Sequence, residues 1–308
     1  MSGTPKPAPK RGDDESDHLL ALPEDATEVA IENAPVRRHV HGGLTVEGYS
    51  RAAMQSYWRI PELKIGFDFG LQPWAFMATQ TWCLSHTHID HVAALPVYVS
   101  RRRLMHMPVP TIYLPESTID DVRAMLAVFQ RLDRGRLPCD LIPVAPEQEY
   151  DLSRENVLTT YQTYHTIPSV GYVVWDRRKK LKEEFQNLTG EQIRDLRYQG
   201  TEVSREVRVP LVAYLGDSNP RGLDACEANY QAKILIMEIT FIAKNHRREK
   251  IHKFGHIHLD DVIERAERFQ NELIVASHLS TRYHDDQIRR MVDKRLPASL
   301  RDRLLLWL

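Results

Sequence analysis

The segment His86-Thr-His-Ile-Asp-His91 constrains this chain more than any other feature. Three imidazoles and one carboxylate lie within six residues. A β-branched and apolar run precedes them from Met77 to Leu84, and a helix-like stretch follows from Val92 to Val99. The pattern predicts a strand, a ligand-bearing loop and a helix. The first two histidines are expected to point the same way, while the aspartate and the last histidine open the helix. One such cluster can hold two metal ions.

The type of ligand narrows the choice of metal. Imidazole and carboxylate without thiolate suit zinc or manganese and not an iron–sulfur cluster. The alternative interpretation is a polar loop in which histidines occur together by chance. Cys83, Cys139 and Cys226 are widely spaced and form no Cys-X-X-Cys pair, so they predict neither a disulfide framework nor a thiolate zinc site.

Length and composition predict an ordinary α/β enzyme. The 308 residues are 42% hydrophobic, enough for one large core. Residues 1–25 are rich in proline and charge, which predicts a disordered tail, and residues 26–308 are expected to form one domain. No apolar run approaches the ~20 residues of a membrane helix and no export segment is evident, so a cytoplasmic location without membrane contact is expected. The net charge of −1 means that any RNA contact must rely on local basic patches.

The secondary-structure pattern is strand-rich at first and alternates strands with helices later. Strands are predicted at 28–32, 44–49, 63–69, 111–114, 157–161, 171–175, 211–215, 234–237 and 273–276, and a helix at 117–132. This order favours two sheets packed face to face with helices outside.

Four further polar residues, His165, Asp217, Glu238 and His278, follow predicted strands. Loops at strand ends often carry functional side chains. Each residue alone is compatible with a structural role, as a hydrogen-bonded histidine, a capping aspartate or a paired carboxylate. Together with the histidine cluster, they predict one shared site.

These motifs resemble the metallo-β-lactamase superfamily, in which His-X-His-X-Asp-His is followed by a lone histidine, an aspartate and a final histidine. Within it, the chain is similar over about residues 44–296 to the ribonuclease Z family, and most of all to its short plant form. The segments that carry this second resemblance are Phe67–Gly70, His165–Tyr172, Gly216–Ser218, Met237–Phe241, Gly255–His258 and Ser277–Tyr283.

The resemblance implies a fold and an activity. The fold is an αββα sandwich of the α/β class, with two mixed sheets and helices outside. The activity is removal of 3′ trailers from precursor tRNA, in which a metal-activated hydroxide attacks a phosphodiester and leaves a 3′-hydroxyl. The family also implies a homodimer that acts on precursor tRNA.

The resemblance further implies two Zn²⁺ ions per subunit, with Mn²⁺ as an alternative. Seven ligands are implied, namely His86, His88 and His165 for one ion, Asp90, His91 and His278 for the other, and Asp217 bridging both.

Other site roles follow from the same resemblance. Asp90 is also expected to orient the nucleophile. Glu238 would hold the imidazole of His256, which would protonate the departing 3′ oxygen. Asp68 is expected to hold a ligating histidine from behind. His258 is left with two interpretations, a phosphate contact or a surface position.

The interval between His165 and Asp217 departs from the long glycine- and proline-rich arm of the best-studied ribonucleases Z. A compact basic insert is predicted near residues 175–210 instead. Candidate RNA-binding residues in it are Arg177, Arg178, Lys179 and Lys180. They are otherwise interpreted as a solvated surface.

Two other functions stay open at this point. One is a dinuclear phosphodiesterase that acts on a small substrate such as a cyclic nucleotide, which the missing arm and the neutral charge favour. The other is a non-enzyme scaffold that kept the fold, although no ligand position is lost.

Overall fold

The structure is a computed structural model that describes residues 34–244 and 246–308. The tail predicted for residues 1–25 and the strand predicted for 28–32 lie outside this range. The described chain contains two mixed seven-stranded sheets with helices on their outer faces, which confirms the predicted architecture.

The first sheet is built from the amino-terminal half, and its strands pair in chain order. The first three pairs are antiparallel and the last three are parallel. The strands are β1 (Arg37–His41), β2 (Leu44–Arg51), β3 (Gln55–Ile60), β4 (Ile65–Phe67), β5 (Thr81–Cys83), β6 (Thr111–Pro115) and β7 (Asp140–Val144).

The second sheet repeats this scheme in the carboxyl-terminal half, again with three antiparallel and then three parallel pairs. The strands are β8 (Glu149–Asp151), β9 (Asn156–Gln162), β10 (Val170–Leu181), β11 (Ser204–Tyr214), β12 (Ile234–Glu238), β13 (Leu273–Ser277) and β14 (Leu304–Leu306).

The helices connect these strands. The α-helices of the described residues are α1 (Ile89–Val92), α2 (Leu95–Leu104), α3 (Ile119–Asp133), α4 (Gly190–Tyr198), α5 (Pro220–Asp224), α6 (Ala228–Gln231), α7 (Arg248–Lys253), α8 (Leu259–Glu264), α9 (Asp285–Asp293) and α10 (Ala298–Arg301). Short 3₁₀ turns lie at Pro61–Leu63, Trp74–Ala78, Glu116–Thr118, Glu183–Phe185 and Ala266–Arg268. Within the described range, none of the helices has the length and apolar character needed to span a bilayer.

Alternation along the strands divides the core into layers. In β12, Ile234 and Ile236 belong to the cluster between the sheets, whereas Leu235 and Met237 belong to the cluster under the outer helices. Successive strand residues point to opposite faces, so both faces of this strand are buried. An all-apolar strand of this kind follows from helices covering the sheet. A one-residue shift in register would exchange the residues of the two layers and spoil the packing of both, which fixes the strand ends where the site forms.

The predicted basic insert is the region where the structure adds most to the sequence pattern. β10 ends later and β11 begins earlier than predicted. The two extensions pair as an antiparallel ladder in which Trp175–Leu181 of β10 lies against Ser204–Pro210 of β11. Their connection carries α4, whose start is fixed by a capping box between Thr189 and Gln192. Charged side chains along the ladder masked this strand pattern, because both of its faces are polar.

Candidate active site

The seven predicted ligands come together at the carboxyl ends of strands from both sheets. The histidine cluster follows β5 and opens α1, as predicted. His165 follows β9, Asp217 follows β11 and His278 follows β13. Parallel strands end at the same edge of a sheet, and this edge is where such folds place ligand-binding loops.

His86, His88 and His165 form the first group. The Nε2 atom of His165 lies 3.0 Å from the Nδ1 atom of His88, and the His86 ring centroid lies 4.9 Å from each of the other two. His86 is fully buried, and burial together with nearby His91 holds its pKa well below the ordinary value. The imidazole is therefore neutral at pH 7, which is the form that binds metal.

Asp90, His91 and His278 form the second group. The Oδ2 atom of Asp90 lies 3.7 Å from the Nε2 atom of His91 and 3.6 Å from that of His278. His278 reaches this position from a left-handed backbone conformation with φ 54°, which a non-glycine residue rarely adopts. Strain of this type concentrates at functional sites.

Asp217 lies between the two groups. Its Oδ2 atom is 3.9 Å from the Nε2 atom of His86, 3.6 Å from that of His91 and 3.3 Å from that of His278. Gly216 precedes it with φ 62°, and a Cβ atom there would lie 2.6 Å from Ser85 Cβ. Only glycine fits this backbone conformation, which directs the Asp217 side chain towards the site.

The donor set fits two cations held by nitrogen and oxygen. The Nε2 atoms of His86, His91 and His278 are buried and have no hydrogen-bond partner. Buried polar atoms are costly when unpaired, so three of them around one carboxylate fit a site that binds a positively charged ligand. Burial lowers the pKa of His91, but Asp217 and Asp68 outweigh it and raise that pKa to about 9. The site therefore attracts positive charge.

Glu238 and His256 form a pair beside this centre. The Nδ1 atom of His256 lies 3.0 and 3.1 Å from the two carboxylate oxygens of Glu238. The backbone N–H groups of Ser218 and Ile257 also donate to Glu238. Burial lowers the pKa of His256, but Glu238 outweighs it and raises the value to about 9. Below that pH, the imidazole carries a proton that it can donate.

Comparison with known proteins decides the family. No protein-family model matches the chain. The chain is 33% identical over 264 residues to tRNase Z TRZ1 of Arabidopsis thaliana, covering 85% of this chain and 94% of that protein. It is also 33% identical over 255 residues to the chloroplastic tRNase Z TRZ2 of the same plant, covering 81% and 71%. The chain belongs to the ribonuclease Z family.

Solved structures agree with this assignment at the level of the fold. Human short-form tRNase Z superposes with a TM-score of 0.50 and 17% identity, covering 81% of this chain and 89% of that chain. The metallo-β-lactamase fold protein YhfI of Bacillus subtilis superposes with a TM-score of 0.54 and 14% identity, covering 84% of this chain and 92% of that chain, which confirms the predicted sandwich. The resemblance to ribonuclease Z is confirmed by the two sequence relatives.

Asp68 holds the ligand cluster of this ribonuclease Z from behind. Its carboxylate accepts from the N–H and the hydroxyl of Ser85, and it lies 2.7 Å from the Nδ1 atom of His91. Tyr214 donates its hydroxyl to the same carboxylate. The Ser85 hydroxyl in turn lies 2.9 Å from the Nδ1 atom of His86. One buried carboxylate thus orients two imidazoles.

Asp68→Asn is expected to weaken metal binding about 10- to 100-fold while the fold persists, as is usual when a group behind a ligand is removed. An amide cannot accept all of these donors, so the ring of His91 loses its orientation. Competition with a chelator measures the affinity, and circular dichroism checks the fold. An unchanged affinity would exclude this role.

The structure treats the four predicted RNA-binding cations differently. The Arg177 guanidinium donates to Asp151 and to the backbone carbonyls of Ser153 and Arg154, so it braces a neighbouring turn. Arg178 pairs with Asp176 but stays exposed, and Lys179 and Lys180 are exposed.

His258 occupies neither of the positions considered from the sequence. It is buried, its Nδ1 atom accepts from the N–H of Asp260, and its Nε2 atom lies 3.0 Å from the carbonyl oxygen of Ala243. The residue therefore caps α8. Histidine is not a preferred capping residue, so this role was not predictable from residue type.

Thr240, which the sequence analysis did not identify as a site residue, connects the Glu238–His256 pair to the group of predicted metal ligands. The Thr240 hydroxyl donates to Glu238 and lies 3.1 Å from the Nδ1 atom of His278. It therefore links the carboxylate beside His256 to a predicted ligand. The only signal for it is its place in the Met237–Phe241 segment.

Proposed function

We propose that this ribonuclease Z is a metal-dependent endoribonuclease that removes 3′ trailers from precursor tRNA and leaves a 3′-hydroxyl. The observation that carries the proposal is the position of the Glu238–His256 pair next to the ligand cluster around Asp217. Relatives that are 33% identical over most of their length bear the name tRNase Z. The missing arm and the neutral charge favour a cyclic-nucleotide substrate at the level of the sequence, but no side-chain contact within the described residues adds to them, and none favours a scaffold role.

The proposed metal centre takes two Zn²⁺ ions, with Mn²⁺ as the alternative. The ligands would be those implied by the family resemblance. One ion would be held by His86, His88 and His165, and the other by Asp90, His91 and His278. Asp217 would be shared by both ions. When bound, the ions supply Lewis-acid stabilisation of the phosphate and lower the pKa of a water molecule towards neutrality.

Asp90 has a second role in this proposal, as the group that orients the nucleophile or accepts its proton. Its Oδ2 atom accepts a hydrogen bond from the N–H of Ala53 at 3.1 Å, which fixes the carboxylate at the mouth of the site. Asp90 is partly exposed, and both residues line one pocket with Phe241 and Arg282. Substrate can therefore reach it.

His256 acts in the proposal as the general acid. Glu238 accepts its Nδ1–H, so the other ring nitrogen is free to protonate the departing 3′ oxygen. Because the pKa of His256 is raised to about 9, the acid form dominates at neutral pH. The leaving alkoxide is a strong base, and its protonation removes the largest charge that develops on the departing strand.

RNA binding by the insert is proposed for its exposed cations. The double variant Lys179→Ala/Lys180→Ala is expected to raise KM for precursor tRNA, and to reduce the slope of log K against log salt by roughly 0.7 to 0.9 for each lost phosphate contact. Filter binding at several salt concentrations measures the slope. Arg289→Ala/Lys294→Ala, which removes two exposed cations on and just beyond α9, is the matched control. Equal slopes for wild type and variant would remove the insert from RNA binding.

We also propose a homodimer and a cytoplasmic location. Apolar side chains are exposed along α2 and α3, among them Val97, Leu104, Phe129 and Leu132. Val97 and Phe129 line one surface pocket, and exposed apolar surface of this kind is typical of an interaction site. Light scattering is expected to give twice the subunit mass, and a monomer at micromolar concentration would contradict this.

Imaging of a tagged protein tests the proposed cytoplasmic location, since one relative is named chloroplastic.

The activity is tested by comparing substrates. The zinc-loaded protein is incubated with a precursor tRNA, with an unfolded RNA that carries the same trailer, and with a cyclic nucleotide. We expect kcat/KM to be highest for the precursor tRNA. Preference for the cyclic nucleotide would support the small-substrate alternative, and no turnover of any of them with metal bound would support the scaffold.

A further inference from the structure

A second pocket borders the candidate metal centre on the side of His165. It has a volume of about 460 Å³ and is open to solvent. Its wall runs from Gln162 to Ser169 and includes His165 itself, and its other side is formed by Asn219, Arg221, His252, Lys253 and Gly255. The Nδ1 atom of His165 lies 3.0 Å from the carbonyl oxygen of Gly255, so the pocket and the centre share a wall.

The charged side chains that line this pocket are all positive. Arg221 and Lys253 line it, and no aspartate or glutamate is among its lining residues. In the described part of the chain, neither cation takes part in an ion pair within 4.0 Å, whereas Arg177, Arg178 and Arg208 around the insert all do. A local cation excess in a protein of net charge −1 indicates an anionic ligand.

Arg221 is held ready for such a ligand. Its guanidinium carbon lies 4.0 Å from the centroid of the Tyr164 ring, a stacking contact that leaves the edge donors free. Two hydrogen bonds hold the backbone near Arg221 against Tyr164. The Asn219 N–H donates to the carbonyl of Tyr164, and the Tyr164 N–H donates to the hydroxyl of Ser218. Asp217 lies directly before this Ser218, so the position of the arginine is coupled to the site.

We propose that Arg221 and Lys253 form a subsite for a backbone phosphate of the RNA strand next to the scissile bond. The proposal rests on the proposed function, because it takes the scissile phosphate to lie at the ligand cluster. A strand anchored there passes the shared wall at His165 and Gly255 and brings its neighbouring phosphate to the two cations. A guanidinium edge and an ammonium group are the donors that bind phosphate best.

The test compares Arg221→Ala, Lys253→Ala and the double variant in steady-state cleavage of precursor tRNA. Each single change is expected to raise KM roughly tenfold, the size of one charge-assisted hydrogen bond, with a smaller effect on kcat. The salt slope should fall by roughly 0.7 per contact. Arg221→Lys keeps the charge and should recover part of the loss. Arg289→Ala, an exposed arginine on α9 away from the pocket, is the control of equal charge change for the single variants. Zinc content and melting temperature verify that each variant is folded.

The outcomes separate this subsite from the activity itself. If wild type cleaves the precursor while the double variant keeps its KM and salt slope, the subsite is refuted and the proposed function stands. If wild type fails to cleave the precursor, the function is refuted, and binding of a fluorescent single-stranded RNA then decides the subsite. Weaker binding by the double variant supports it, and equal binding, or none by wild type, overturns it.

Discussion

Asp217→Ala is expected to abolish metal binding and RNA cleavage together. Asp217 is the carboxylate that lies within 4 Å of three buried imidazole nitrogens, two from the His86–His91 segment and one from the loop after β13. Its pKa is held well below the ordinary range, because His278 and His91 outweigh the effect of burial. Without this charge, the two proposed cations would lose their common ligand. Cleavage should fall by on the order of 10³-fold, as expected when several kcal/mol of transition-state stabilisation are lost.

Elemental analysis of the purified variant measures the metal, and single-turnover cleavage measures the rate. Asp224→Ala is the matched control, since Asp224 accepts from Arg265 and Arg268 on the surface and lines no part of the site. That variant is expected to lose some stability and to keep both metals. Full zinc stoichiometry in Asp217→Ala would contradict the ligand assignment.

His256→Ala is expected to keep both metals and to slow cleavage by about 10² to 10⁴, the contribution of a positioned general acid. The imidazole lies outside the proposed ligand set, and its partner is a carboxylate that three other donors also hold in place. Metal content and rate should therefore separate in this variant, in contrast to Asp217→Ala. An unchanged rate would remove His256 from the mechanism.

Glu238→Gln tests the same pair through the pH profile. The carboxylate raises the pKa of His256 to about 9, so the acid form of wild type, and with it the rate, declines only as the pH rises through that value. Without the negative charge, burial lowers the pKa, and the alkaline limb of kcat/KM should move to lower pH. The slope of the profile on the acid side serves as the internal control. A limb that stays in place would exclude His256 as the titrating acid.

The local motif made the metal cluster predictable. Strand, loop and helix follow one another around His86–His91, so sequence spacing alone places these side chains at one point. The distant partners were predictable for a second reason, since His165, Asp217 and His278 each follow an apolar strand and such strands end at one edge of a sheet. Their assignment to particular ions came from the family resemblance and stays a prediction.

The remaining contacts depend on tertiary structure. The hydroxyl of Thr240 and the cap made by His258 have no periodic or spacing signal, because each contact joins loops that are remote in sequence. The insert was predicted as a basic patch, yet the Arg177 guanidinium donates to Asp151 in a neighbouring turn and is therefore already paired. Charge runs do not reveal which cation is already paired, and this is decided only once β8, β9 and β10 lie side by side.

The most direct test is to map the cut in a precursor tRNA carrying a 3′ trailer, using the zinc-loaded protein and sequencing the product ends. The account predicts one cut just after the discriminator base that follows the acceptor stem, with a 3′-hydroxyl on the tRNA and a 5′-phosphate on the trailer. That polarity follows from protonation of the 3′ oxygen by His256. Cleavage at scattered positions, a 3′-phosphate product, or an intact precursor with both metals bound would contradict it.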